Sequence, residues 1–429
     1  MKRLALVALV LAACSTEDNL GNHVFGDARW SISIGSPGEE RATTLAIDPI
    51  GNVIVAGTCD GLVKFGVTRR ECHGSFISRR AYDTGAEQWT VVLQGAVVTS
   101  LNLDENGYLI ATGSYTGAAD IAGTPLAATG TDPFIVVFNA AGGVEGVAAL
   151  GMDGDAVSPV GAIEPDGCVY VTGGFHGTMP TPDGTISNMS GELDGFLSGH
   201  FADTGGAWTV RFSGDRDQIG RALAVQGEHL AVLADTTGPL FVGDLRIDAP
   251  ATSVLLQFAI DGHLQWTQTL PEPSTHVAAA RNGDLVVTSS VDACTRLRAY
   301  DVAGRERWVT PCTADRSHDA IAIDVAGTIV SGGRSFDPAS GELFLAAHAA
   351  DGTPIGSITA QPYPAFTRDS SLDGIAIEPS GEVAFLASIN HPFDFGNGMV
   401  PFTGMHDAVV VKLDSPTGEH DGPIVLLRE

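Results

Sequence analysis

The sequence predicts an all-β fold built from a repeated antiparallel four-stranded unit, and three observations predict it. First, one pattern recurs: apolar-Ala-apolar-acid, a turn with Gly, then a second apolar run. It is written as TTLAIDPIGNVIVAG (43–57), TSLNLDENGYLIATG (99–113), PVGAIEPDGCVYVTG (159–173), RALAVQGEHLAVLAD (221–235), HVAAARNGDLVVTSS (276–290), DAIAIDVAGTIVSGG (319–333) and DGIAIEPSGEVAFLAS (373–388). Second, each interval holds another strand pair, and every tryptophan of the chain falls at one position of that pair. Third, 53 glycines with only 17% charged residues suit short buried strands joined by tight turns, while no stretch sustains a capped 3.6-residue apolar period. Repeats of a four-strand a-b-c-d unit read as a seven-bladed β-propeller.

The chain opens MKRLALVALVLAAC. Lys2 and Arg3 precede a ten-residue apolar run, Leu4 to Ala13, too short to span a bilayer. Leu11-Ala12-Ala13-Cys14 resembles a bacterial lipobox. That resemblance implies cleavage before Cys14, acylation of Cys14 and, with Ser15 rather than Asp following, the outer membrane of a Gram-negative cell. Residues 1–13 are therefore expected as a signal peptide and 14–27 as the lipidated Cys with a short tether. Residues 28–429 are expected as a single propeller domain.

The first pattern supplies strands a and b. The acids at 48, 104, 164, 324 and 378 stand just before its turn, where a carboxylate accepts turn N–H groups. Strands c and d come from the intervals, as in SFISRRAYDTGAEQWTVVL (75–93), GFLSGHFADTGGAWTVRF (195–212), SVLLQFAIDGHLQWTQTL (253–270) and TRLRAYDVAGRERWVT (295–310). Trp89, Trp208, Trp266 and Trp308 share one place on strand d, and Gly146, Gly356 and Gly422 hold it in the remaining copies. An aromatic there buries roughly 150–250 Å² and serves as a wedge between neighbouring blades. Trp30, in GDARWSISIG, fits the same template with no partner strand before it. Strand 29–34 is favoured as the d strand that completes the last blade, with 421–427 as the competing segment.

The repeats resemble the bacterial seven-bladed propeller repeats (SBBP-like) over about residues 28–415. HDAVVVKLDSPTG (406–418) and SPVGAIEPDGCVYVTGG (158–174) carry the likeness, and ADIAGTPLAATGTD (119–132) and FDFGNGMVPFTGMHD (393–407) resemble that group's long loop between strands b and c. That family implies a fold and an extracytoplasmic location, not an activity. AYDTGAEQW (81–89) also distantly resembles the tryptophan-docking phrase of pyrroloquinoline-quinone-type propellers, whose dehydrogenases add Ca²⁺ and a catalytic Asp. No counterpart of either is found in this sequence, so the tryptophans are read as structural.

Export exposes cysteines to an oxidising compartment. Cys294 and Cys312 flank the turn between strands c and d of the fifth copy, where antiparallel register sets them opposite each other. Cys59 and Cys72 flank the b–c connection of the first copy and are expected to pin the base of a long loop. Cys168 is expected as a buried thiol. Two acid pairs, Asp153/Asp155 and Asp215/Asp217, are placed in loops from strand d to the next strand a, as weak candidates for Ca²⁺ ligation over solvated turn carboxylates. No zinc-type Cys spacing, H-E-x-x-H, G-x-S-x-G, phosphate-binding loop or EF-hand is present, and no catalytic residue, metal or cofactor is expected.

Lys and Arg number 23 against 51 Asp and Glu, a formal net charge of −28. Such a field repels a phosphate backbone, so nucleic acid is not an expected partner. The leading reading is a monomeric, membrane-anchored module that binds a protein or surface polymer without catalysis. The alternatives are an extracytoplasmic hydrolase or lyase acting on carbohydrate at a channel mouth, and an outer-membrane assembly factor. A His, Tyr, Arg or metal cluster at the mouth would favour the enzyme.

Overall fold

The computed structural model describes residues 25–414, except 105, 165–166, 189–190, 202–205, 251, 292–293, 337–340 and 363–368. Cys14, the expected signal peptide, most of the tether and segment 421–427 lie outside the described residues. Among the described residues every regular element is a strand.

Each copy of the sequence pattern folds as an antiparallel meander. The first contains Arg41–Ile47, Val53–Lys64 and Arg69–Arg80, then the start of Glu87–Leu103. That last strand runs on without a break to become strand a of the second unit, which continues through Leu109–Ile121, Thr124–Phe138 and Val144–Ala149. The third unit is Asp153–Ile163, Val169–Thr181, Asp194–His200 and Ala207–Gly214. The fourth is Gln218–Gln226, His229–Thr236, Thr252–Ala259 and Leu264–Thr269. The fifth is Ser274–Ala279, Leu285–Val291, Cys294–Tyr300 and Glu306–Val309. The sixth is Ala320–Ile323, Ile329–Arg334, Leu343–His348 and Pro354–Pro362.

The seventh unit joins Ser371–Ile377, Val383–Ile389 and Asp407–Leu413 to the N-terminal strand Ala28–Ile34. Charge reinforces this pairing. Arg29 reaches Glu382 and Asp414, each at 2.5 Å, and Tyr82 of the first unit donates to Glu382 at 2.9 Å. Lys412, fully buried, pairs with Glu378 and lies 3.3 Å from Glu382. A buried cation is tolerated only with such partners.

Strand a of each unit packs on strand a of the next, and Arg41–Ile47 packs on Ser371–Ile377. The apolar core is correspondingly divided. Each hydrophobic cluster lies between one unit and its neighbour, such as Val286 and Leu297 against Ile329, or Trp30 and Val410 against Val53 and Phe76. The middle strands are buried almost without a break, as in Val383–Ile389 and Asp407–Leu413, because both faces of a unit meet a neighbour.

Trp30, Trp89, Trp208, Trp266 and Trp308 all make the same cross-unit bond. Their indole N–H groups donate to the carbonyls of Tyr82 (2.9 Å), Ala140 (3.2 Å), Ile260 (3.0 Å), Val302 (2.9 Å) and Ala350 (3.0 Å), each in the c–d turn of the following unit. A turn glycine lies flat on each ring. A Cβ on Gly304, at φ +77°, would fall 2.8 Å from Trp266. Only glycine fits there on both counts.

The long b–c connections differ from expectation. In the first two units they are continuations of the strands: Ile121 and Thr124 close a hairpin within the second unit, and Lys64 pairs with Arg69 in the first, whereas 393–407 holds a separate short hairpin, Phe393–Asp394 with Met399–Val400, set against Pro354–Pro362. Alternation such as that of 119–132 is enough to extend a ladder when the turn, here Ala122-Gly123, adopts positive φ. Cys59 is bonded to Cys72 across this extended hairpin, with Cα atoms 5.7 Å apart, and Cys294 to Cys312, with Cα atoms 5.4 Å apart. Cys168 is buried beside Tyr170 and Leu197.

Candidate functional site: one end of the inner strands

Near the start of strand a the ladder to strand b slips by one residue, between Ala42 and Thr44, Val98 and Ser100, Gly220 and Ala222, Ser274 and His276, and Leu372 and Gly374. A bulge leaves one residue out of the pairing and turns it from the sheet. Those residues are Thr43, Thr99, Arg221, Thr275 and Asp373. Pro159 stands at the corresponding place in the third unit and Asp319 in the sixth. Since the a strands pack side by side, these positions gather at one end of the inner layer.

The gathering is unequal. Hydroxyls occupy the first, second and fifth units, whereas charge occupies the fourth, sixth and seventh. The residue that ends strand b answers the bulge. Arg221 donates to Asp235 at 2.8 Å, Asp373 accepts from Ser371 and Ser388 at 2.7 Å each, and Asp319 accepts from Ser317 at 2.8 Å in the field of Arg334. Burial pushes the carboxyls of Asp319 and Asp373 up, and the charge of Asp319 adds to the push on Asp373. Burial pulls the His276 imidazole down to about 4, with Arg221 adding to the effect. Asp319, Asp373 and His276 nevertheless keep part of their surface in solvent.

The hydroxyls are not poised as nucleophiles. Ser388 donates to Asp373 while accepting the Ala42 N–H at 3.0 Å, and Ser317 donates to Asp319 while accepting the Arg334 N–H at 3.2 Å. Both oxygens are tied into the backbone at the junction of strands. The arrangement can bind polar groups through Arg221, the two carboxyls and the flanking threonines. Its one hydroxyl–imidazole contact among the described residues is Thr275, whose hydroxyl lies 3.0 Å from His276 Nδ1 and 3.0 Å from the Thr288 hydroxyl.

The weak metal candidates are not brought together. Asp153 and Asp155 lie inside strand Asp153–Ile163 rather than in a loop, because the register with Val169–Thr181 extends past the expected turn. The carboxylate of Asp155 accepts the Thr131 N–H at 3.0 Å. Asp217 accepts the Leu193 N–H at 2.8 Å, and Asp215 stays in the turn before Gln218. Among the described residues no three His, Cys, Asp or Glu side chains gather as a metal site would require. Three of the five acids before the a–b turns accept turn N–H groups: Asp48 from Ile50 and Asn52, Asp104 from Asn106 and Tyr108, Asp324 from Ala326 and Thr328; Glu164 accepts from the Tyr170 hydroxyl, and Glu378 from Ser380 and Lys412.

The bulge column escaped the reading of the sequence. Its signal was present: in six of the seven quoted copies the bulge residue is the first letter, and in the fifth it immediately precedes it.

No family model matches the chain, so its likeness to the bacterial propeller repeats stays a likeness of residues, and no curated protein matches it either. Solved structures do. The Dos1 propeller is similar at 8% identity and TM-score 0.51, over 91% of this chain and 96% of that one. Virginiamycin B lyase from Staphylococcus aureus is similar at 9% identity and TM-score 0.50, over 89% and 98%. A streptogramin B lyase is similar at 12% identity and TM-score 0.50, over 90% and 97%. At such identities the likeness establishes an all-β propeller fold and nothing of activity.

Proposed function

We propose that this chain is a seven-bladed propeller closed by its N-terminal strand, anchored at the cell envelope by acylated Cys14, and that it binds a protein or surface polymer without catalysis. Pairing of Ala28–Ile34 with Asp407–Leu413 and packing of the first inner strand on the last support the closure. The observation that carries the binding role is the charged arc of Arg221, Asp319 and Asp373, whose neighbouring hydroxyls are committed to the backbone.

The test is crosslinking in native membranes with the tagged full chain and its Arg221→Ala/Asp373→Asn variant. Stoichiometric recovery of one partner with the parent chain, and its loss with the variant, is the expected result. Recovery of barrel-assembly machinery would identify an assembly factor. Recovery of nothing, under conditions that capture other lipoproteins, would overturn protein binding and leave glycans as ligands. A hydrolase or lyase acting on carbohydrate is the second reading, favoured by the coupled carboxyls Asp319 and Asp373. Turnover of a glycan abolished by Asp373→Asn would establish it in place of the first.

A further inference from the structure

Between the sixth and seventh units lies a cavity of about 420 Å³. Most of its lining side chains are apolar, among them Phe25, Phe344, Leu345, Phe385, Phe395 and Leu413, with Thr359 between them. Its volume falls in the range of small-molecule sites, roughly 300–1,000 Å³, and a mainly apolar lining with few polar groups is their usual composition. The polar groups sit at the rim. Asp27 and Asp394 are both exposed, and Asp394 is held by the N–H groups of Gly396 and Gly398 at 2.8 and 3.1 Å.

The cavity has a cause in the repeat. The sixth unit carries Gly356 where five strands of this class carry Trp, so no indole enters the junction. The seventh unit takes its outer strand from the N-terminus and has no c–d turn to receive one. Five junctions are closed by the wedge and its turn, and the second unit, with Gly146, lacks the indole too; here the segment Phe25–Ala28 and the hairpin at Phe393–Val400 line the space instead.

We propose that this cavity binds one aliphatic chain whose head group is neutral or cationic. The apolar walls select the chain, and the two rim carboxylates disfavour a free fatty acid. Two sources supply such a chain: a separate membrane lipid, or an acyl group carried on Cys14. Ten residues, 15–24, separate Cys14 from Phe25, which gives a reach of up to roughly 35 Å when extended. The site is independent of the charged arc.

The test uses the full chain, with Cys14→Ser as the unacylated form, and Nile red as a neutral probe of the cavity. Dodecanol and dodecylamine are expected to displace the dye at concentrations about tenfold below dodecanoate. Ala360→Trp, which fills the cavity from its partly buried wall, is expected to abolish dye binding. Asp394→Asn retains the turn through its carbonyl oxygen and is expected to narrow the discrimination against dodecanoate. Dye uptake by both the acylated and Cys14→Ser forms assigns the site to a separate lipid. Uptake by Cys14→Ser alone assigns it to the chain's own acyl group. Failure of Cys14→Ser to take up dye overturns the proposal, as does equal displacement by dodecanoate. Uptake that begins only after deletion of residues 415–429 overturns it too, by showing that the C-terminal segment fills the cavity. Intact mass of the Cys14 peptide separately reports acylation, so failure of the anchor and failure of the cavity are distinguishable.

Discussion

At the scale of residues, one bond recurs: an indole N–H on strand d given to a carbonyl in the next c–d turn, with a glycine against the ring. The bond is worth about 1 kcal/mol net, and ring burial adds the larger part. Trp266→Ala should lower unfolding free energy by about 2–4 kcal/mol, less than a fully buried tryptophan because its edge is exposed, while Trp266→Phe should cost far less. Urea denaturation monitored by circular dichroism measures both. His318 behaves differently. It is 5% exposed, its Nδ1 has no hydrogen-bond partner, and burial holds its imidazole down to about 4. An unfolded His binds a proton near 6.5, so the unfolded state takes up protons first as pH falls. Its contribution is present above about 6.5 and is lost progressively down to about 4, amounting to roughly 3 kcal/mol. His318→Gln should flatten this part of the stability–pH profile; an unchanged profile would refute the assignment.

At the scale of elements, extended hairpins and disulfides decide how the outer parts hold. The Cys294–Cys312 bond ties strand c of the fifth unit to the chain just beyond its four-residue strand d, Glu306–Val309. A strand so short keeps few ladder bonds, so the crosslink contributes much of its retention. Closing a loop of this length removes about 3 kcal/mol of unfolded-state freedom. Cys294→Ala/Cys312→Ala should lose that stability and raise hydrogen exchange in Glu306–Val309 before it does so in Leu285–Val291. Equal protection of both strands would show that packing of Trp308 is sufficient alone.

At the scale of the whole molecule, the first and last units are bound by a strand that precedes both in sequence. Deleting residues 25–34 removes the partner of Asp407–Leu413, the Arg29 ion pairs and Trp30 from the junction of the seventh and first units. The exposed edge should then pair with other copies. Size-exclusion chromatography should show oligomers, and the thermal midpoint should fall by several degrees. A monomer with an unchanged midpoint would exclude this strand as the closing element.

The unit and its repetition were written in the sequence, because turn glycines, period-two strands and a tryptophan wedge are local requirements that each copy must satisfy for itself. Cysteine pairing was legible because Cys294 and Cys312 flank one hairpin, although its register, shifted by a bulge, sets Cys294 opposite Ala314 rather than Cys312. The choice of Ala28–Ile34 over 421–427 was not settled there, since both segments satisfy the template. In the structure Ala28–Ile34 pairs with Asp407–Leu413, held by contacts that no local pattern encodes, such as Arg29 with Glu382 and Trp30 with Tyr82. Tertiary structure alone also gathered Arg221, Asp319 and Asp373, which lie 152 residues apart at their extremes, and opened the cavity beside Phe344 and Phe385. Proximity between units depends on how the inner strands pack side by side, and a linear repeat carries no record of which of its variable positions will meet.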